Sequence, residues 1–350
     1  MTPPDGTTGS GRKVRGGQEE GEEPVMVELS RMVKTLMKES TWWERRGLDW
    51  SILAAAFLCL PVAFLLLRSA HVLVFTCGLL LMGVAHAAIS VKGNHLASHG
   101  ALSESPAWTE VWAVFFIEVC GAFSAQAGVH AHIKSHHAHT NIIGLGDSST
   151  WKVPRLPRLV YLFVAPLALP LLTPLVAVAH LRGRPPLLAA RTLLMILLGL
   201  HAHYWLLLHL SGFRTPLSAA LCMLACRAMF SVPFIHVNIF QHIGLPMFSQ
   251  DRRPKRHILM THGVMNLPRN FLLDWTFGHS LISCHLEHHL FPHLSDNMCL
   301  KVKPVVSHYL STKNLPYQED GYISRLKLFF HKYQELMVEA PPITELVGVQ

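Results

Sequence analysis

The sequence predicts an all-α integral membrane fold: about four transmembrane helices in two hairpins, carrying a cytosolic helical cap. Three observations predict it. Half of the 350 residues are hydrophobic and only 15% are charged, where a soluble domain carries about 25% charged residues. Long apolar runs stand at 51–67, 72–91, 159–180, 187–210 and 217–240. The chain also holds 24 histidines, and these gather in groups near the ends of apolar runs.

Residues 1–24 are polar, with "GGQEEGEE" at 16–23. They lack the apolar core of a secretory signal and read as a disordered tail. Residues 25–47 read as an amphipathic interfacial helix. Met26, Leu29, Met32, Val33, Leu36 and Met37 share one side, and Trp42, Trp43, Arg45 and Arg46 suit the headgroup level. A plain surface helix is the alternative. The runs 51–67 and 72–91 each have the length a spanning helix needs, about 17–25 residues. Only Arg68 to His71 separate them, so they form a tight hairpin.

Segment 108–126 contains Glu110 and Glu118, which are expensive in hydrocarbon. It is expected to lie in the interface, with Glu118 toward the headgroups. Segment 159–180 carries Pro166, Pro170 and Pro174 between basic flanks and is expected to insert partly and return. Then 187–210 crosses out and 217–240 crosses back. From Gln241 the chain turns polar and forms the cap, and 321–350 adds a C-terminal amphipathic helix and tail.

The net charge of +8 sits in short clusters beside apolar runs, such as Arg45–Arg46 and Arg252–Arg256. That is the footprint of cytosolic loops near anionic lipid, and it argues against nucleic acid. Both termini and all the histidine groups then face the cytosol. Seven cysteines without C-x-x-C make no disulfide framework.

On a helix, residues three or four apart share a face. His95 and His99 are so placed, as are His132 and His136, with His137 next door. Asn238 and His242 repeat the spacing, and "HLEHH" adds His285, His288 and His289. Nine imidazoles packed together cannot all be protonated. A divalent metal satisfies their lone pairs, and zinc takes only about four ligands, so nine donors imply a histidine-rich di-metal site. The scarcity of carboxylate and thiolate argues against calcium, magnesium and iron–sulfur clusters. His139, His279, Asp274 and Glu287 could hold the rings from behind, though Glu287 could equally be a solvated charge. His130 competes with His132 for its place; the tighter spacing to His136 favours His132.

The boxes H-x-x-x-H, H-x-x-x-H-H and H-x-x-H-H, with "NFLLDWTFGHSLISCHLEHHLFPHL" at 270–294, resemble the membrane fatty acid desaturases. The resemblance covers residues 48–320 as a membrane desaturase domain with its cytosolic cap. It implies two non-haem iron ions that activate O2 and desaturate a fatty acyl chain carried as acyl-CoA or acyl lipid. The matching ligand positions are His95, His99, His132, His136, His137, His242, His285, His288 and His289, with Asn238 acting through a water. Relatives of one type fuse a cytochrome b5 domain with an HPGG motif. This sequence has none, so a separate cytochrome b5-type donor is implied, at the endoplasmic reticulum. The basic loops could receive both that acidic donor and an anionic headgroup. The third box begins with His285 where the front-end type has Gln, which leaves the double-bond position open. A hydroxylase on the same scaffold is the nearest alternative. A zinc-containing receptor or a metal transporter is a distant one, and a transporter would place ionisable residues along its spans.

Overall fold

The computed structural model describes residues 24–142 and 156–339. The expected tail, much of the basic stretch Lys152–Arg158 and the chain beyond residue 339 lie outside the described residues. Those described are helical, with no strand among them; two isolated bridges, Ile142 to Phe248 and Asn266 to Glu319, are the extended pairings.

Helix α1, Val25–Glu39, is amphipathic as its spacing demands. Its apolar residues are spent on the cap, however, since Leu29 and Val33 are buried among Met298, Val302 and Val306. Trp42 and Trp43 stay on the outside. Helices α2 (Trp43–Leu66) and α3 (Val72–Ser98) form the first hairpin. Their contact closes over Gly78, where a Cβ would press on the Leu67 backbone.

The next apolar stretch is an elbow. Helices α4 (Pro106–Cys120) and α5 (Ala125–His137) meet at 108°. Here Glu118 departs from expectation. It does not face headgroups; it is fully buried. Its carboxylate accepts hydrogen bonds from Thr192 Oγ1 and Arg191 Nη2, each at 3.0 Å, and from the Ala125 N–H at the start of α5. Charge pairing and a helix-end donor make that burial tolerable.

Three further apolar helices follow: α6 (Val160–Ala179), α7 (Pro186–His209) and α8 (Pro216–Phe240). Counting α2 and α3, five helices are long and apolar enough to cross a membrane, where about four were expected. Yet α6 turns back. At its start, the Leu162 carbonyl is 2.9 Å from Nε2 of His236, near the end of α8. At its other end, Ala177 packs with Ala122 in the elbow and Ile196 of α7. A 3-10 segment at Ala165–Ala168 breaks it between. Helix α7 crosses the elbow so closely at Gly199 that a Cβ would collide with the Val119 carbonyl. Away from the histidine boxes, Leu207, Ala219 and Cys222 pack with Ala63, Phe64 and Met82, which joins the second hairpin to the first.

The cap is built from α9 (Arg256–Gly263), α10 (Phe271–Phe277), α11 (His285–Leu290) and α12 (Asp296–Thr312) around a core of Leu259, Met260, Leu286, Met298 and Val302. Helix α13, Tyr322–His331, seals the junction of α6 and α8 through Phe329 on Phe240 and Tyr161.

Candidate metal centre

Nine histidines converge under the cap in two groups. His95, His99, His132, His137 and His288 form one; His136, His242, His285 and His289 form the other. Within each group the candidate ligand nitrogens all lie within 4.8 Å of one another. The groups adjoin, with the His137 and His289 rings 4.3 Å apart between centroids. Because His137 and His242 meet here, an even number of complete crossings must separate them, so α6, α7 and α8 cannot all be complete crossings.

The partition is not the one α-helical spacing suggests. Residues His130–His137 form a π-helical turn, whose wider repeat is common at functional sites. It aligns His132 with His137, five residues on, and sends His136 to the other group. His130 is exposed, so His132 is the residue that enters. On α11, His285 and His289 share one group while His288 reaches the other.

The rings are aimed. His242 Nδ1 lies 3.2 Å from the Gly263 carbonyl and His285 Nδ1 lies 2.9 Å from the Ser280 carbonyl. His95 Nδ1 meets the Ser280 hydroxyl at 3.1 Å, and His289 Nδ1 meets the Thr140 hydroxyl at 3.3 Å. These contacts occupy the outer nitrogen and leave Nε2 facing inward. Nε2 of His95, His99 and His289 is buried without a protein partner. Other Nε2 atoms crowd each other: His242 to His285 at 2.9 Å, His288 to His137 at 3.0 Å, His137 to His132 at 3.3 Å. Around one ion with bonds of about 2.0–2.1 Å, adjacent ligand nitrogens stand roughly 2.9–3.4 Å apart. The donor set therefore fits metal. Burial, reinforced by the neighbouring rings, holds the imidazolium forms of His285, His288 and His289 well below the usual range, so these lone pairs are free at neutral pH.

Residues expected behind the rings make other contacts. Asp274 accepts from Ser283 Oγ at 3.0 Å and faces His279 at 3.4 Å. His139 lies at the edge, half-buried. Glu287 is fully buried and not a solvated charge. It accepts from Tyr317 Oη at 2.6 Å and Asn266 Nδ2 at 3.1 Å. Burial pushes its carboxyl up, and those two donors oppose the shift. Asn238 donates its amide to the Phe234 carbonyl at 2.7 Å.

What sequence reasoning missed lies beneath His95. Lys92 is completely buried between Asp296 at 2.6 Å and Asp49 at 3.0 Å. Asp296 accepts from the Ser280 N–H at 3.2 Å and also from its hydroxyl. The run Lys92–Asp296–Ser280–His95 thus ties a buried ion pair to a ring of the five-histidine group. A lysine at the tail of an apolar run was the available signal.

The profile of the fatty acid desaturase family matches residues 69–321 of this chain. The chain belongs to the fatty acid desaturase family. Fatty acid desaturase 6 of Mus musculus is 56% identical over 328 residues, covering 94% of this chain and 96% of that protein. Fatty acid desaturase 6 of Homo sapiens is 56% identical over 329 residues, 94% and 92% of the two chains. That of Bos taurus is 57% identical over 328 residues, 94% and 96%. As a desaturase, the chain is an oxidoreductase built on several apolar helices with a histidine metal site at their ends.

Proposed function

We propose that this desaturase introduces a C=C bond into a fatty acyl chain using two iron ions held by the nine histidines, with Asn238 reaching one of them through a water. The single observation that carries the reading is the pair of adjoining all-histidine groups with inward Nε2 atoms. When bound, the irons supply O2 activation and removal of two hydrogens. The chain's own residues do the rest. Gly263, Ser280 and Thr140 fix ring orientation, and the cap keeps water from the buried nitrogens. Asn238 would act through its amide oxygen, since its nitrogen is engaged.

The enzyme works in this reading as a multi-pass protein of the endoplasmic reticulum, with the site and both termini cytosolic. Electrons come from a separate cytochrome b5-type carrier, which is acidic and suits the basic loops. The hydroxylase alternative is not favoured, because the family matched is that of the desaturases. Nine donors in two groups also exceed what one zinc of a receptor takes, about four.

Metal analysis of purified protein, with fatty acid profiling of cells that express it, tests the reading. About two irons per chain and a new unsaturated fatty acid that vanishes with His288→Ala are expected. One zinc per chain, or an oxygenated product, overturns it.

A further inference from the structure

His242 stands where a helix can no longer hold it. Helix α8 ends at Phe240, and the last carbonyls of a helix have no partner within it. Partners come from elsewhere in the chain. Arg325, buried on α13, donates Nε to the Phe240 carbonyl at 3.0 Å and Nη2 to the Ile243 carbonyl. The Met265 N–H reaches the Gln241 carbonyl at 3.1 Å. The His242 carbonyl itself faces the amide of Asn141 at 3.5 Å.

Asn141 follows the second histidine box and is buried. Its φ of +53° lies in the left-handed region, which asparagine enters more readily than most side chains. Its own carbonyl accepts from the Phe248 N–H at 2.9 Å. Its Nδ2 also lies 3.1 Å from the Gly263 carbonyl and 3.3 Å from that of Pro246. Carbonyls only accept, so the amide nitrogen and not its oxygen faces all three. One side chain thus ties the end of the second box to the turn after α8 and to the end of α9.

Gly263 joins this contact to the metal centre. Its carbonyl is the one that takes the Nδ1–H of His242 at 3.2 Å. A carbonyl oxygen offers two lone pairs; Asn141 takes one and His242 the other. A Cβ on Gly263 would stand 3.2 Å from Asn141 Nδ2, so the glycine leaves the amide room to approach. Thr140, the residue before, meets Nδ1 of His289, which belongs to the same four-histidine group as His242.

We propose that Asn141 is a positioning residue for the four-histidine group: its amide fixes the Gly263 carbonyl, the carbonyl aims the His242 ring, and the metal affinity of that group follows. Asn141 does not itself touch the metal. The proposal rests on the reading of the nine histidines as a metal centre, and not on the reaction carried out there.

The test titrates metal-free, full-length protein in detergent with cobalt(II), whose visible spectrum reports the geometry of its ligands. Two backgrounds isolate the groups. His99→Ala with His132→Ala leaves the four-histidine group to be filled, and His242→Ala with His285→Ala leaves the five-histidine group. Asn141→Gly keeps the left-handed backbone and deletes the amide. In the first background it should weaken cobalt(II) binding by about tenfold, the lower end of what loss of an outer partner costs, and shift the spectrum of the bound ion. In the second it should change neither. With all nine histidines present, one of the two binding steps should weaken and the other hold. Undiminished affinity in the first background overturns the proposal, because asparagine would then serve only its backbone angle. Equal loss from both groups also overturns it, since that marks a general loosening of the cap. Should the unaltered chain bind no cobalt(II), the metal-centre reading falls and takes the proposal with it; binding that ignores Asn141→Gly removes the proposal alone.

Discussion

The hydroxyl of Ser280 lies 3.1 Å from Nδ1 of His95. The same residue's carbonyl lies 2.9 Å from Nδ1 of His285. One serine therefore orients a ring in each metal group, by two different atoms. Ser280→Ala removes the first contact and keeps the second. We expect the five-histidine group to lose about 10–100-fold in metal affinity and the four-histidine group to be spared. Metal content after dialysis against a graded chelator checks this, with Ser280→Thr as the rescue. Equal loss from both groups would refute it.

Lys92 holds two buried carboxylates apart. Lys92→Met leaves Asp49 and Asp296 facing each other without a cation. Removing one partner of a buried pair typically costs about 3–5 kcal/mol. Thermal unfolding in detergent should show a clear drop in midpoint. The triple change that also makes both carboxylates amides should recover much of it, because no uncompensated charge remains. A midpoint unmoved by Lys92→Met would show that the pair adds nothing.

Gly199 lets α7 touch the elbow. Gly199→Ala forces a methyl group onto the Val119 carbonyl, which is backbone and cannot swing aside. Overpacking of this kind costs about 1–3 kcal/mol. Metal binding should survive in the folded fraction, since no ligand moves directly. Gly212→Ala is the control: it has nothing within 4 Å of an added Cβ, and only its φ of +70° resists substitution. A Gly199→Ala protein no less stable than that control would refute the close crossing.

Acid should destabilise the metal-free protein. Burial depresses the imidazoles of His285, His288 and His289 well below 6.5. Unfolded, these rings take up protons near the ordinary value; folded, they resist. Stability is therefore complete above about pH 6.5 and declines as pH falls below it, steeply because several rings act together. Unfolding midpoints of chelator-treated protein across that range measure the slope. A flat profile down to about pH 5 would show that the rings titrate normally.

The apolar runs and the nine clustered histidines were legible because each is a local pattern: length in one case, spacing at helix ends in the other. What was not legible depends on contacts between distant residues. The division of His132, His136 and His137 between two groups follows from a π-helical turn, which residue spacing does not announce. Glu118 looked like a headgroup residue because its partners, Arg191 and Thr192, stand more than seventy positions away. Ser280 and Thr140 are common residue types with no pattern of their own. The apolar face of α1 was visible, but not that the cap would claim it.

That last feature bears on how the protein is made. Leu29 and Val33 are translated well before the surface that buries them, around Met298, Val302 and Val306. Until then the apolar face of α1 has no cap to pack against. Its docking surface on α12 follows α11 and its three imidazoles in the chain, so α1 can seat only after all nine histidines have been made.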